Sequence, residues 1–546
     1  MMGVAIRLVS RHGVSEVNSN INILDFYQTQ ILPELQDSNY SDRPVVKATA
    51  IKYVAVFRYQ FPAQNLVETL PLLIAYLKSP VIVVHTFAAY AIERILSTRE
   101  KIEVPRSPPR ITANMLAPHM EGLFTNLFSI IDNTSQDEND YAMKCTMRAL
   151  ATCGPMILPV TETVVSKLTA ALERVSKNPR NPHFNHYLFE SMAVVIKSVC
   201  SSQASAAASF EAYVFGPCNA ILQGGITEFM PYAFQLLAQL LEFHPEGTPL
   251  GASYTNLFAP LLSPSLWEDR GSVPALTRLV QAYLDKSPNM VVERVVNVLG
   301  IFQYLVSNAP TEASAFDLMS TIVNKVPFET LEPHVPSLLQ ILLTRLQKRK
   351  TQLLFQKRIT TFFALFIGKY GVQTLVSRID GIQNGLMANL LVHVWVPCLE
   401  KALPDRVVEG KIQSVGLTKL LCEYPALLAD TSGQQLWTKL LHAAVSIMTS
   451  TTLKLTSNGM VEAPEDLAEA EITFESKFAQ LVYASKPVRD PFAGTDVAAS
   501  FAQSLSTLSA SHPGMIGPLI QQGLGGDAKL SSGLDTLVQR AGVTIM

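Results

Sequence analysis

Apolar residues recur at intervals of three and four along almost the whole chain. Val46, Ala50, Ile51, Val54 and Phe57 form one such series, and Val83, Val84, Phe87, Ala91 and Ile95 form another. That spacing places each series on one face of an α-helix and not on the alternating face of a strand. Turn signals punctuate it at Asp42-Arg43-Pro44, Ser79-Pro80, Asn178-Pro179, Gly224-Gly225 and Ser287-Pro288, predicting helices of about 12 to 20 residues with short connections. The first helices of successive pairs start near residues 23, 63, 112, 157, 206, 250, 288, 330 and 371. Their mean period is about 43 residues, within the range of about 40–47 residues for HEAT and armadillo repeats. A helix pair cannot bury its apolar stripe alone, so neighbours must stack. The expected fold is all-α, a HEAT-repeat superhelical solenoid of antiparallel helix pairs with a long concave wall.

Composition narrows the possible partners. The 546 residues are 48% hydrophobic and 16% charged, and their net charge is -2. A chain of this kind can bury a core, and it has no overall field to gather nucleic acid or an anionic membrane surface. Neither nucleic-acid binding nor membrane insertion is expected. Mean hydropathy is +0.21, yet no run of about 18 apolar residues satisfies the needs of a bilayer span. The nearest, 381–399, contains Gln383, Asn384, Asn389 and His393 and reads as a buried helix with a polar edge. The first twelve residues lack a signal-peptide layout. Cys145, Cys153, Cys200, Cys218, Cys398 and Cys422 include no Cys-x-x-Cys pair, which suits a reducing compartment.

Catalytic chemistry finds no support. Walker, Gly-x-Ser-x-Gly and His-Glu-x-x-His motifs are absent from the sequence, and Gly523-Leu524-Gly525-Gly526 lacks a strand–turn–helix context. No enzyme activity, catalytic residue, metal or cofactor is expected. His183 and His186 tempt a metal assignment, but two imidazoles do not complete a four-ligand site. The segment that follows Asn181-Pro182 reads instead as a helix start fastening a turn. Trp267, Trp395 and Trp437 read as packing residues, and Cys145 and Cys153 as small buried hydrophobes.

Charge is distributed unevenly. The interval 333–379 holds Arg345, Lys348, Arg349, Lys350, Lys357, Arg358, Lys369 and Arg378 and no acid. Six of these bases, from Arg345 to Arg358, are candidate partner contacts, against the alternative of a solvated helix terminus. Phe355, Phe362, Phe363 and Phe366 beside them have the spacing of a core stripe. Two acidic stretches are the counterparts: 132–140, most simply a loop, and 462–475, where Glu465, Asp466, Glu469 and Glu471 are candidate contacts within a linker or loop near 456–475. Terminal helices are expected over 476–546.

Several runs carry a family resemblance. They are Pro44-Val45-Val46-Lys47 through Phe57-Arg58, Val83-Val84-His85-Thr86 through Glu93-Arg94, and Ser176-Lys177-Asn178-Pro179 with His183-Phe184-Asn185-His186-Tyr187. Val273-Pro274-Ala275-Leu276, Lys369-Tyr370-Gly371, Asp380-Gly381-Ile382-Gln383 and Val415-Gly416-Leu417-Thr418-Lys419 follow in order. From about Arg11 to Met546 the chain resembles the exportin-2 family of nuclear export receptors, in the importin-beta superfamily. The resemblance implies a monomeric karyopherin that binds importin-alpha together with Ran-GTP, meets nuclear pore proteins, and shuttles between nucleus and cytoplasm. GTP would be carried by Ran and not by this chain. It further implies that the basic patch faces an acidic surface of Ran or importin-alpha, and that 462–475 faces the basic importin-beta-binding segment of importin-alpha. Nothing in the sequence resembles the family's N-terminal Ran-gripping domain, so the chain is expected to be the C-terminal arch. The competing expectation is a constitutive HEAT-repeat scaffold without transport activity.

Overall fold

In the computed structural model, residues 6–10, 13–100, 107–203, 205–349, 352–450, 480–485 and 487–545 are described. Cα proximity divides the chain into two compact units, one of residues 1–248 joined by 480–485, the other of 249–450 joined by 487–545.

The first unit opens with an antiparallel hairpin, β1 (Ile6–Ser10) and β2 (Gly13–Val17). This hairpin and an isolated bridge between Arg99 and Pro109 are small β features beside the helices. Ten helices follow in pairs: α1 (23–36) and α2 (Pro44–Phe57), α3 (Ala63–Tyr76) and α4 (Ile82–Leu96), α5 (Met120–Ile131) and α6 (Asp140–Cys153), α7 (Thr161–Ser176) and α8 (Pro182–Ser202), α9 (Ala206–Gln223) and α10 (Met230–Phe243). The second helices form a continuous inner row, α2 against α4, α4 against α6, α6 against α8 and α8 against α10, while α1, α3 and α5, and then α7 and α9, pack as an outer layer.

The second unit repeats the plan. Its pairs are α11 (Ala252–Leu261) and α12 (Val273–Lys286), α13 (Val295–Val306) and α14 (Glu312–Lys325), and α15 (Val335–Arg349) and α16 (Leu353–Tyr370). Next come α17 (Val372–Asp380) and α18 (386–401), with α19 (Val407–Glu423) as their inner helix, then α20 (Thr431–Thr449) and the terminal helices α21 (Val497–Ser511), α22 (Ile516–Leu524) and α23 (Ala528–Ala541). The inner row here runs α12, α14, α16, α19, with α20 and α21 both on α19. Helices were expected from residue 476 onward, but the described residues of 480–496 are irregular and the helices begin at Val497.

Local chemistry explains where the helices start. Asn22, Asn139, Asn181, Asp430, Asp496 and Asp527 each cap a helix by accepting a backbone N–H of its first turn, satisfying donors that no carbonyl can reach. Asp140–Ser176 is long and apolar enough by composition to cross a bilayer. Gly154, at φ 51°, and Pro155 and Pro159 break it into α6 and α7 instead, and α6 is packed between α4 and α8.

Packing between repeats is dense. Trp267, Trp395 and Trp437 are buried, and each donates its indole N–H within the protein, to the carbonyl of Leu261, to Gln413 Oε1 and to the carbonyl of Leu421. Phe355, Phe362, Phe363 and Phe366 line the core side of α16, as their spacing predicts. The cysteines are free thiols, five of them buried. Burial pushes the Cys153, Cys200, Cys218 and Cys422 thiols up to about 12, so none is poised as a nucleophile. Lys47 is fully buried on α2 and held by Asp37 at 2.6 Å and Glu34 at 3.1 Å, which ties α2 to the end of α1.

Candidate partner-binding surfaces

The base-rich interval is more ordered than its sequence suggests. Glu312, the first residue of α14 and only 1% exposed, receives Arg345 at 2.8 Å and Arg349 at 3.2 Å from α15, and Arg358 at 3.6 Å from α16. Burial pulls the Arg358 guanidinium below its ordinary value. Lys357 pairs with Asp405 at 2.8 Å, Arg378 with Glu332, and Lys369 donates to the carbonyl of Pro491 at 2.9 Å. The interval was expected to be a positive field free of acids, and this is corrected by carboxylates that arrive from neighbouring repeats. With Asp317 and Glu409 also close to Arg358, Glu312 answers three guanidinium groups. Lys348 lies exposed beside them. Lys350 falls outside the described residues, as do Glu465, Asp466, Glu469 and Glu471.

The stretch 132–140 is a loop, as expected, and it is anchored. Asn139 caps α6 and donates to Thr86 Oγ1 at 2.7 Å, and Asp132 meets Lys167 at 2.7 Å. It borders a cleft of about 710 Å³ whose lining mixes Asp137, Glu138 and Asp140 with Arg174 and Arg180. The neighbouring helix start is the turn-fastener the sequence predicts: Asn181 accepts the Phe184 N–H at 3.0 Å and donates to the Glu138 carbonyl at 3.2 Å. His186 is buried against Tyr232 Oη at 3.2 Å and Glu190 at 3.6 Å. Burial, with His183 and Lys144 nearby, holds its imidazole down at about 3, so it is neutral. No cluster of three or more metal-ligating side chains occurs among the described residues.

Sequence reasoning missed the inner row's polar side chains. In the first unit Glu93, Arg148, Glu190, Gln235 and Gln239 are buried on α4, α6, α8 and α10. Glu93 meets Arg148 at 3.4 Å, and Gln239 donates to the Ala193 carbonyl at 3.1 Å. Residues 480–485 settle on this row. The Glu190 carboxylate accepts the N–H groups of Val482 at 2.5 Å and Tyr483 at 3.0 Å, and Gln235 Oε1 accepts the N–H of Leu481 at 2.9 Å. Gln239 Nε2 donates to the Tyr483 carbonyl at 3.1 Å, and Arg148 to its phenol oxygen at 3.2 Å. The available signal was Glu190 itself, a lone acid inside the run Tyr187-Leu188-Phe189-Glu190-Ser191-Met192-Ala193.

In the second unit the inner row carries Gln281, which donates to Thr321 Oγ1 at 2.8 Å, and Gln413, which donates to Thr360 Oγ1 at 3.3 Å. Residues 489–492 are held there by side chains: Arg489 on Asp285 at 2.7 Å, and Asp490 on Lys411 at 2.7 Å. The Phe492 ring lies over Gly368, under the Lys369 ammonium at 5.2 Å.

Comparison with known proteins places this architecture. Residues 93–532 match the family model described as "CAS/CSE protein, C-terminus", and residues 2–92 match the model described as Cse1. The chain is 36% identical to Exportin-2 of Bos taurus over 544 residues, covering 98% of this chain and 54% of that protein. It is 35% identical to Exportin-2 of Homo sapiens over the same length. It thus spans about half the length of these curated relatives. Among solved structures it resembles the exportin Cse1 in its cargo-free, cytoplasmic state, with a TM-score of 0.79 at 25% identity over 98% of this chain and 53% of that one. Importin beta shares the fold, with a TM-score of 0.53 at 11% identity over 94% of this chain and 58% of that one. The ordered runs, the paired helices and the two family matches agree: the chain belongs to the exportin-2 (CAS/CSE) family.

Proposed function

We propose that this chain supplies the C-terminal repeats of a nuclear export receptor that carries importin-alpha from nucleus to cytoplasm with Ran-GTP. The observation that carries this reading is family similarity over 98% of the chain. In this reading the protein acts by binding and not by catalysis, and GTP travels on Ran. The receptor shuttles between nucleus and cytoplasm and engages pore proteins on the way.

Physical features support the reading. Stacked helix pairs offer long rows of inner side chains, the form of surface that suits a large protein cargo. The Arg345, Arg349, Arg358 and Lys348 surface has positive charge suited to an acidic face of a partner. Such charge mainly sets encounter rate and partner choice, with anchoring left to buried apolar contacts. The direct test is capture of importin-alpha by the immobilised chain, with a full-length relative as positive control and Ran locked in its GTP state as the added variable. Retention of importin-alpha is expected, and glutamate substitutions at Lys348 and Arg345 should weaken it. Capture no better than that of an unrelated helical-repeat scaffold would contradict the proposal.

A further inference from the structure

Glu190, Gln235 and Gln239 pose a question that the packing of helices does not answer. All three are buried on α8 and α10, at 2%, 2% and 3% exposure. Burying a carboxylate and two amides is unfavourable unless partners meet them. Each of the three also meets main-chain groups of residues 244 to 293 positions away. Glu190 takes two successive N–H groups, Gln235 a third, and Gln239 gives its amide hydrogen to a carbonyl. Arg148 also addresses a side chain, donating to Tyr483 Oη. Leu481 and Ala484 are fully buried in the same contact.

We propose that Glu190, Gln235, Gln239 and Arg148 form a main-chain-binding site that the chain fills with its own residues 481–484, and that a partner polypeptide can take the same place. The partner's chemistry follows from the contacts. It presents two successive free N–H groups in a non-helical turn, a leucine-sized side chain at the first position and a small one three residues later. Because the contacts at the second position are to main chain, the site tolerates varied side chains there, while Arg148 favours a hydroxyl-bearing side chain at the third. The cis segment is short and irregular, so its release costs less than unfolding the helices beneath it. Its attachment to the chain gives it an effective concentration of about millimolar order, so a competitor must first displace it. The contact is therefore self-masking. This inference does not depend on the identity of the transported cargo.

Amide hydrogen exchange on the unaltered chain gives the first test. The N–H groups of Leu481, Val482 and Tyr483 should exchange at least ten-fold faster than those in the middle of α8 and α10. Exchange at the same rate as the helices would show the segment to be part of the fold and would overturn the proposal. The second test uses the double variant Leu481→Asp with Ala484→Asp, which ejects the cis segment, and a fluorescein-labelled peptide of residues 478–487. The peptide should bind this variant at least ten-fold more tightly than the unaltered chain, and adding Glu190→Gln should abolish the gain. Equal binding to both chains, or loss of the helical circular-dichroism signal in the double variant, would sink it.

Discussion

Glu312 shows how much one buried side chain organises. Three guanidinium groups from two helices converge on it, so it both orients them and cancels part of their mutual repulsion. Replacing it by Gln keeps the shape and removes the charge. The loss should be about 1.5–3 kcal/mol, the usual range for hydrogen bonds to charged groups, read as a lower urea midpoint. His186 makes a second prediction. Its folded value of about 3 lies below the ordinary 6.5, so below pH 6.5 the unfolded chain binds a proton that the folded chain does not. The stability tied to a neutral His186 is fully present above about pH 6.5 and declines as pH falls toward 3. Urea midpoints measured between pH 7 and 4 should therefore fall less steeply in His186→Gln than in the unaltered chain. An equal slope would assign the acid sensitivity to other groups.

Neighbouring helices come closest where side chains vanish. At Gly416 on α19 an added Cβ would meet the backbone of Ala364 on α16, so this pair packs backbone to backbone. Gly416→Leu must push the helices apart, and overpacking of that kind costs about 1–3 kcal/mol or more. A denaturant midpoint unchanged within error would contradict the observed packing. Much of this level was legible beforehand. Helix pairs were placed near 23, 63, 112, 206, 250 and 371; outer helices begin at Ile23, Ala63, Ala206, Ala252 and Val372, and a short helix at Ala113–Leu116 leads into α5. Apolar periodicity and turn residues are local signals, so they survive in one sequence. The terminal segment 480–496 was misplaced because its stability comes from Glu190, Gln235, Asp285 and Lys411, which lie far away in the chain. The basic interval was misjudged for the same reason. A charge run records its own residues and not the acid that a neighbouring repeat sets against them.

For the whole molecule, the repeat plan matters more than any single contact. Stacked repeats contact chiefly their neighbours, so small adjustments between helix pairs sum along such an array. Two ligands that favour the same curvature then reinforce each other's binding, and coupling of this type typically amounts to about five- to a hundred-and-fifty-fold in affinity. A net charge of -2 supplies no general attraction, so binding should depend on salt only through local patches such as Arg345 and Lys348. Raising ionic strength from 50 to 300 mM should slow association several-fold with little effect on dissociation. The decisive measurement is a calorimetric titration of importin-alpha into this chain joined to the N-terminal half of an Exportin-2 relative, with and without Ran-GTP. At least ten-fold tighter binding in the presence of Ran-GTP is expected, and equal affinity in the two titrations would contradict it.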